Sequence, residues 1–489
     1  MRNIIIYTVL VLLPFNVLFG QINFFKQYSD NGYDYGQGIV QLEDSSYVVC
    51  GSSSSFTSGP SQAFLLHVDS VGKYIWSNDY GGFESESARR VLYKENFGFF
   101  IAGYTSSFGN GAYDFYLAKI RLDGQLEWEK SYGDYGWERV NDAALTRDSG
   151  VIMVGETDSN PTNNKDIYIV RTDINGDTLW TKTLGGVGDD YANCIATYQD
   201  SLFVIGANIY VEDSLKTKVL FLYIKEDGTV ISQDTLVSNG KFIINDMIIT
   251  NDTLQGVGDH TLNDPGNSYD VNYTVVMQPG GINVLGYSGA PQQWDFHGDL
   301  LTSYGDDSKR YKAYSMIATW TYPGGRDLHV GKYKRDLSWI GQVVQVSFDN
   351  PDVGGELIST SDGGAVMTGY TSSGGAGGAN VFILKIGPNE NYPTVVGVTA
   401  FDNLVDIEEV SAIDQFKVYP NPASQSFTIE IPNEDEFSVK VFNTLGQEFQ
   451  SETVIGTKTI DVSAFATGLY TVTIVSNNKV IATHRLLIQ

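Results

Sequence analysis

Asp114-Phe-Tyr-Leu-Ala-Lys-Ile120, Arg121-Leu-Asp-Gly124 and Leu126-Glu-Trp-Glu-Lys-Ser-Tyr132 together decide how this chain folds. The first segment is apolar on both sides of a pleat, as a strand is when both faces are covered. The second is a tight turn with glycine where a hairpin needs it. The third is a strand carrying Trp128 and ending on Tyr132. Just upstream lie two further strand-like stretches, Arg90–Tyr93 and Phe99-Phe-Ile-Ala-Gly103, followed by a Ser/Gly loop over 104–112. Four short antiparallel strands thus occupy one unit.

The unit recurs. Phe24, Trp76, Trp128 and Trp180 stand 52 residues apart, as do Tyr28, Tyr80, Tyr132 and Leu184. Gly51, Gly103 and Gly155 keep the same interval, Gly206 comes one residue early, and Gly258 restores it. Stretched copies follow near Gly305 and Gly369, and Gly-Tyr-Thr-Ser-Ser occurs at both Gly103 and Gly369. A lone four-stranded sheet with two apolar faces cannot hide both, so such units pack radially. The expectation is an all-β, seven-bladed β-propeller over residues 21–388. The seventh copy ends after Asn380-Val-Phe-Ile-Leu-Lys-Ile386, with no fourth strand behind it. Phe24-Phe-Lys-Gln-Tyr28 aligns with fourth strands elsewhere and is expected to complete the last blade. The repeat resembles those of large Bacteroidota surface propellers, most closely in blades one to four. Pro265, Pro291 and Pro323 mark longer loops in blades five and six, about residues 233–345.

The chain has 489 residues and a formal net charge of −27. That charge argues against nucleic acid and anionic membrane surfaces as partners, and it favours solubility with some attraction for divalent cations, Ca2+ included. The two cysteines, Cys50 and Cys194, fall three blades apart, so a disulfide is not expected. Arg2 followed by Ile4–Leu13 and Pro14 reads as a signal peptide over residues 1–20, and no later run is long enough for a membrane span in the mature chain.

Asp34, Glu86, Glu138 and Asp190 each precede a first strand. They are either a cation site or collar at the channel mouth, or a repeated hydrogen bond from carboxylate to backbone N–H. The second reading is preferred, because metal sites usually break repeat symmetry. Gln62, Asp114, Asp166, Lys218, Asp270, Asp327 and Asn380 precede third strands, and their varied chemistry points to loop-pinning. Asp69-x-x-Gly72-x-x-x-Trp76 and its copy at Asp173 faintly resemble the tryptophan-docking motif of quinoprotein propellers and the sialidase Asp-box. Their spacing fits better with hairpin turns and packing of Trp across blades. The five histidines are scattered, and no HExxH, GxSxG or Walker pattern occurs. His260 and His297, near Asp264, Trp294 and Asp295, form the best candidate for an active site; no catalytic residue is assigned. Trp137, with Tyr33, Tyr35, Tyr80, Tyr104, Tyr113, Tyr135 and Tyr370, supplies aromatic surface suited to sugar faces or protein anchors, the alternative for each being packing between blades.

Beyond a linker at 389–413, alternating strands return over 414–489, as expected for a small β-sandwich. This segment carries Val418-Tyr419-Pro420-Asn421-Pro422-Ala423, then Val439–Gly446, then Ala466-Thr-Gly468-Leu-Tyr470-Thr-Val-Thr-Ile474. In that order these blocks resemble the type A C-terminal sorting domain of the type IX secretion system of Bacteroidota. The resemblance implies recognition by the outer-membrane translocon, removal by a sortase, and a secreted or cell-surface destination. The function so indicated is a non-enzymatic propeller scaffold that binds an extracellular glycan or protein. The alternatives are an extracellular polysaccharide hydrolase or lyase on the same ring, and a structural surface-layer component.

Overall fold

The computed structural model describes residues 5–8, 22–29, 32–55, 60–161, 164–198, 202–211, 216–236, 240–250, 253–262, 272–278, 281–288, 297–304, 312–321, 325–334, 339–347, 352–372, 378–386, 397–399, 417–420, 422–430, 436–443, 448–476 and 479–488. Every regular element among them is a strand. The chain separates into two compact units, Met1–Val405 and Asp406–Gln489.

In the first unit the described strands form seven sheets, five of four strands and two of five, the fifth strand in each case added at the outer edge of four antiparallel ones. Their first strands are Asp34–Gln41, Glu86–Lys94, Glu138–Leu145, Tyr191–Tyr198, Gly240–Thr250, His297–Tyr304 and Asp352–Ser359. The first strand of each sheet packs beside that of the next, and the first strand of sheet seven packs beside that of sheet one. Sheet seven takes its outer strand from Ile22–Ser29, which pairs antiparallel with Asn380–Ile386 in the register Phe25↔Leu384 and Tyr28↔Val381. Ile5–Thr8 pairs on the far side of that strand. Gly397–Thr399, from the segment read as linker, adds a parallel strand beside Trp339–Ser347.

Buried third-strand residues pack from sheet to sheet. Phe115 and Leu117 share a cluster with Val140, Met153 and Val170 of sheet three. Tyr116 and Ala118 turn the other way, toward Val48, Cys50 and Leu65 of sheet one. Cys50 and Cys194 are buried, unbridged thiols in sheets one and four. Burial pushes both thiols above their usual range.

The outer strands act as clamps between neighbours. The hydroxyls of Tyr28, Tyr80 and Tyr132 each donate to the carbonyl of the turn glycine in the following sheet, Gly72, Gly124 and Gly176, at 2.7 Å in all three. The Trp76 and Trp128 rings lie against Gly124 and Gly176, where a Cβ would come within 3 Å of them. Each of these glycines has positive φ, so the turn needs glycine twice over. Asp69 and Asp173 accept two backbone N–H groups each inside these turns. The Asp-Gly-Trp pattern is therefore hairpin chemistry plus packing across sheets.

All seven first strands carry a register irregularity at the same place, between Gly36/Gly38, Ala88/Arg90, Val140/Asp142, Ala192/Cys194, Ile244/Asp246, Gly298/Leu300 and Gly354/Glu356. A β-bulge puts one extra residue in a strand and re-aims its neighbours. It also accounts for the repeated second-strand glycines. A Cβ on Gly51, Gly103, Gly155 or Gly258 would lie 1.8–1.9 Å from a first-strand carbonyl oxygen beside the bulge. Gly206, one residue out of step, meets the Cys194 sulfur instead.

In the second unit, strands Lys417–Tyr419, Ser426–Glu430 and Thr457–Asp461 form one sheet, and Glu436–Asn443, Glu448–Ile455, Gly468–Ser476 and Lys479–Ile488 another. Phe427 and Ile429 of the first share one core with Val439, Val441, Val472, Ile474 and Leu486 of the second.

Candidate functional site

Three first strands start on a buried acid, Asp34, Glu86 and Glu138, and a fourth follows one, Asp190; strand alternation turns the residues on either side of the acid to the other face. Asp34 accepts the Ser53 and Ser55 hydroxyls at 2.5 and 2.8 Å. Glu86 accepts the Thr105 hydroxyl at 2.7 Å and the Gly82 N–H at 3.0 Å. Glu138 accepts the Thr157 and Ser159 hydroxyls, both at 2.5 Å, and the Asp134 N–H at 3.1 Å. In sheet four, Ile209 and Val211 stand where the hydroxyls should be, and Asp190 accepts the Tyr210 and Gly186 N–H groups instead, both at 2.8 Å. All four carboxylates are buried and engaged with protein donors. Among the described residues, no group of three or more His, Cys, Asp or Glu is arranged to hold a metal.

The neighbours of these acids differ from sheet to sheet. Around Asp34 they are Tyr33 and Tyr35, whose rings stack at 6.4 Å, with Tyr370 edge-on to Tyr35 at 4.7 Å. Around Glu86 the flanking residues are Ser85 and Ser87, of which Ser87 is buried. Around Glu138 they are Trp137 and Arg139. Trp137 is 46% exposed, and its ring lies 5.0 Å from Tyr113, which is 5.2 Å from Tyr104. Tyr135, two residues before, is 84% exposed. Two aromatic clusters therefore stand at the strand-start edge of the sheets, with a serine-rich stretch at the sheet between them in sequence.

The bulge makes a second, inner cluster that the sequence did not announce. Gly38, Arg90, Asp142, Cys194, Asp246, Leu300 and Glu356 occupy the same post-bulge position. Arg90 Nε pairs with Asp142 at 3.0 Å, and its Nη1 pairs with Glu356. The carboxylates also tie sheet to sheet: Glu356 accepts the Ile39 N–H at 2.7 Å and Asp142 the Ile195 N–H at 2.9 Å. Burial pushes Asp142 and Glu356 above the ordinary carboxylate range, while Arg90 and the N–H donors pull them back. Burial opposes the charge on Arg90, yet Asp142, Glu356 and Asp246 beside it raise its already high value. A cavity of about 480 Å³ opens here, lined by Arg90, Glu356, Gln41, Tyr93, Leu145 and Thr197 among others.

His260 and His297 lie in the strands Thr253–Leu262 and His297–Tyr304, opposite Phe242 and Ala318 respectively. Their side chains, and all of Asp264, Trp294 and Asp295, lie outside the described residues. Of the third-strand polar set, Gln62 donates to the Gly82 and Glu84 carbonyls, Asp166 accepts from Asn160 and Asn164, and Asn380 donates to Thr371. Asp114 accepts the Gly111 N–H, and its side chain is buried beside Glu138.

In the second unit, Tyr419 is half exposed and precedes Pro420 through a cis peptide bond. Gly468 opens a strand in which Tyr470 is buried against Phe449 and Phe465 and donates to the Ala466 carbonyl. Asn421 and Gly446 lie outside the described residues, and Pro422 is exposed.

Residues 417–489 match the secretion system C-terminal sorting domain family. The chain is accordingly exported by the type IX secretion system to the cell surface or the extracellular space. No curated protein matches it in sequence. Similar solved structures include the WD40 domain of Neurospora crassa Pan2, at 11% identity over 74% of this chain and 98% of that one, TM-score 0.41. The β-propeller domain of the Trilobed protease from Pyrococcus furiosus is 8% identical over 74% and 98%, TM-score 0.42. A fungal alcohol oxidase of the AA5 family in complex with copper is 10% identical over 94% and 100%, TM-score 0.42. At these values the likeness says nothing of ligand or chemistry. Among the described residues, no helix is long and apolar enough to cross a membrane.

Proposed function

We propose that residues 21–388 form a seven-bladed β-propeller, closed by the N-terminal strand, that binds carbohydrate or protein outside the cell. A signal peptide over 1–20 starts export, a linker spans 389–413, and the sorting domain at 414–489 hands the chain to the type IX translocon and a sortase. The ring is supported by the contacts of successive first strands around to sheet one and by Ile22–Ser29 on the edge of sheet seven. Tyr28 clamps Gly72 as Tyr80 and Tyr132 clamp their own neighbours, which supports the N-terminal strand as a true fourth strand.

The aromatic edge carries the binding reading. Tyr33 and Trp137 are 55% and 46% exposed; each immediately precedes a strand that starts on a buried carboxylate and is tied by a β-bridge to Ala379 or Tyr113, so large rings are presented to solvent from fixed backbone. Rigid exposed aromatics are the residues that glycan and protein sites use. The inner Arg90 cluster reads as structural, since each carboxylate is engaged both by Arg90 and by an N–H of the next sheet.

The test is binding of the secreted chain to glycan and matrix-protein arrays, with Trp137→Ala and Tyr33→Ala alongside. A signal that either substitution weakens supports the reading. Silence on both arrays, with hydrolysis of a polysaccharide panel, overturns it.

A further inference from the structure

Among the described residues Arg139 has no counter-ion, in a chain of formal charge −27. Its guanidinium carbon lies 4.8 Å from the centre of the Trp137 ring, 5.2 Å from Tyr113 and 5.5 Å from Tyr104. The three rings hold it in one place. No described carboxylate pairs with it, and its buried Nε makes no hydrogen bond. The obvious partner is already engaged: Glu156 stands directly across the strand pair from Arg139, but its carboxylate binds Lys165 at 2.7 Å. A guanidinium is a rigid fork that matches a carboxylate two bonds at a time. Aromatic walls reduce its hydration and fix its orientation, which readies it for an anion arriving from solvent.

We propose that Arg139 and Trp137 form a subsite for a carboxylate-bearing sugar, a uronate unit within a glycan. The carboxylate meets the guanidinium fork, and the flat apolar face of the sugar ring stacks on the exposed side of Trp137. A sugar fits better than an acidic peptide. The platform is the exposed indole of Trp137, with Tyr135 also exposed two residues before it, and a broad flat ring suits the apolar face of a pyranose better than a flexible acidic side chain. The negative chain suits a glycan with isolated carboxylates among neutral units rather than a densely charged polymer. The inference rests on the glycan arm of the binding reading and names its chemistry.

The test is calorimetric titration of the full secreted chain with a glucuronate-containing oligosaccharide and with the same oligosaccharide after reduction of its carboxyl groups. The expected result is binding of the acidic form at least tenfold tighter than of the reduced form. Arg139→Gln should remove that preference, and Trp137→Ala should weaken both forms. Arg139→Lys, which keeps the charge and loses the fork, should recover only part of the preference and guards against a folding artefact. Equal binding of the two forms, unchanged in Arg139→Gln, overturns this inference and leaves the glycan reading standing. Arg139-dependent binding of a glutamate-rich peptide with no glycan bound overturns the sugar assignment, and no glycan bound in any form overturns the glycan reading itself.

Discussion

Replacing Arg90 with methionine should be among the most damaging single changes in the first unit, and its damage should depend on pH. Arg90 is 28% exposed, whereas the Asp142 and Glu356 side chains it pairs with are each 7% exposed. Methionine keeps most of the volume and leaves two buried carboxylates without their cation. Breaking a buried pair in this way costs about 3–5 kcal/mol. Each carboxylate keeps one N–H partner from the next sheet, so the lower end, about 3 kcal/mol, is expected. Burial already holds both carboxyls above their ordinary values of 3.8 and 4.5. A group whose folded pKa is raised binds its proton more tightly folded than unfolded, so stability falls as pH rises from the ordinary value through the raised one. Loss of Arg90 raises both groups further and widens that window upward. Urea unfolding of wild type and Arg90→Met across mildly acid to neutral pH should show a deficit that is largest at neutral pH and shrinks as the carboxyls become protonated. Adding Asp142→Asn and Glu356→Gln should recover much of the neutral-pH loss. A single mutant as stable as wild type at neutral pH, or a deficit that ignores pH, would refute this account of the cluster.

Other changes probe the repeat, the clamps, the thiols and the address. Gly103→Ala sets a methyl 1.8 Å from the Ser87 carbonyl oxygen and should cost about 1–3 kcal/mol or more in chemical unfolding; Gly206→Ala, opposed by a sulfur, should cost less. Tyr132→Phe removes the hydroxyl bond to Gly176 and should cost about 1 kcal/mol without changing the far-UV spectrum. Cys50 and Cys194, buried with pKa values pushed up, should resist alkylation in the native protein and react on unfolding. Removal of residues 414–489 should abolish appearance of the chain outside the cell, measured by fractionation.

The sheets were legible because their signal is repeated: the Trp and Tyr of outer strands, the turn glycines and the second-strand glycines all recur at one interval. The sorting tail was legible because its motifs are contiguous. The bulge was visible only through its shadow, the second-strand glycines that leave room for a carbonyl. The inner cluster was hidden because Gly38, Arg90, Asp142, Cys194, Asp246, Leu300 and Glu356 share a position but no single residue type. Only their geometry shows that Arg90 lies between carboxylates of different sheets. Arg139 was masked in the same way. Beside an acid that recurs at 34, 86, 138 and 190, its counterparts are Tyr35, Ser87 and Tyr191, so nothing in the pattern singles it out. Its isolation emerges only when Glu156 is seen to be engaged by Lys165.

The central claim is that the two ends of the propeller segment meet in one sheet. Ile22–Ser29 buries Phe25 and Tyr28 against sheet seven and against the turn of sheet one. Burial of two such rings contributes on the order of 4 kcal/mol. The most direct measurement is amide hydrogen exchange at Asn380–Ile386 in the whole chain and in one lacking residues 21–30. Closure predicts strong protection in the first and its collapse in the second, together with loss of protection in the Asp69–Lys73 turn. Protection of Asn380–Ile386 that is unchanged by the deletion would contradict it.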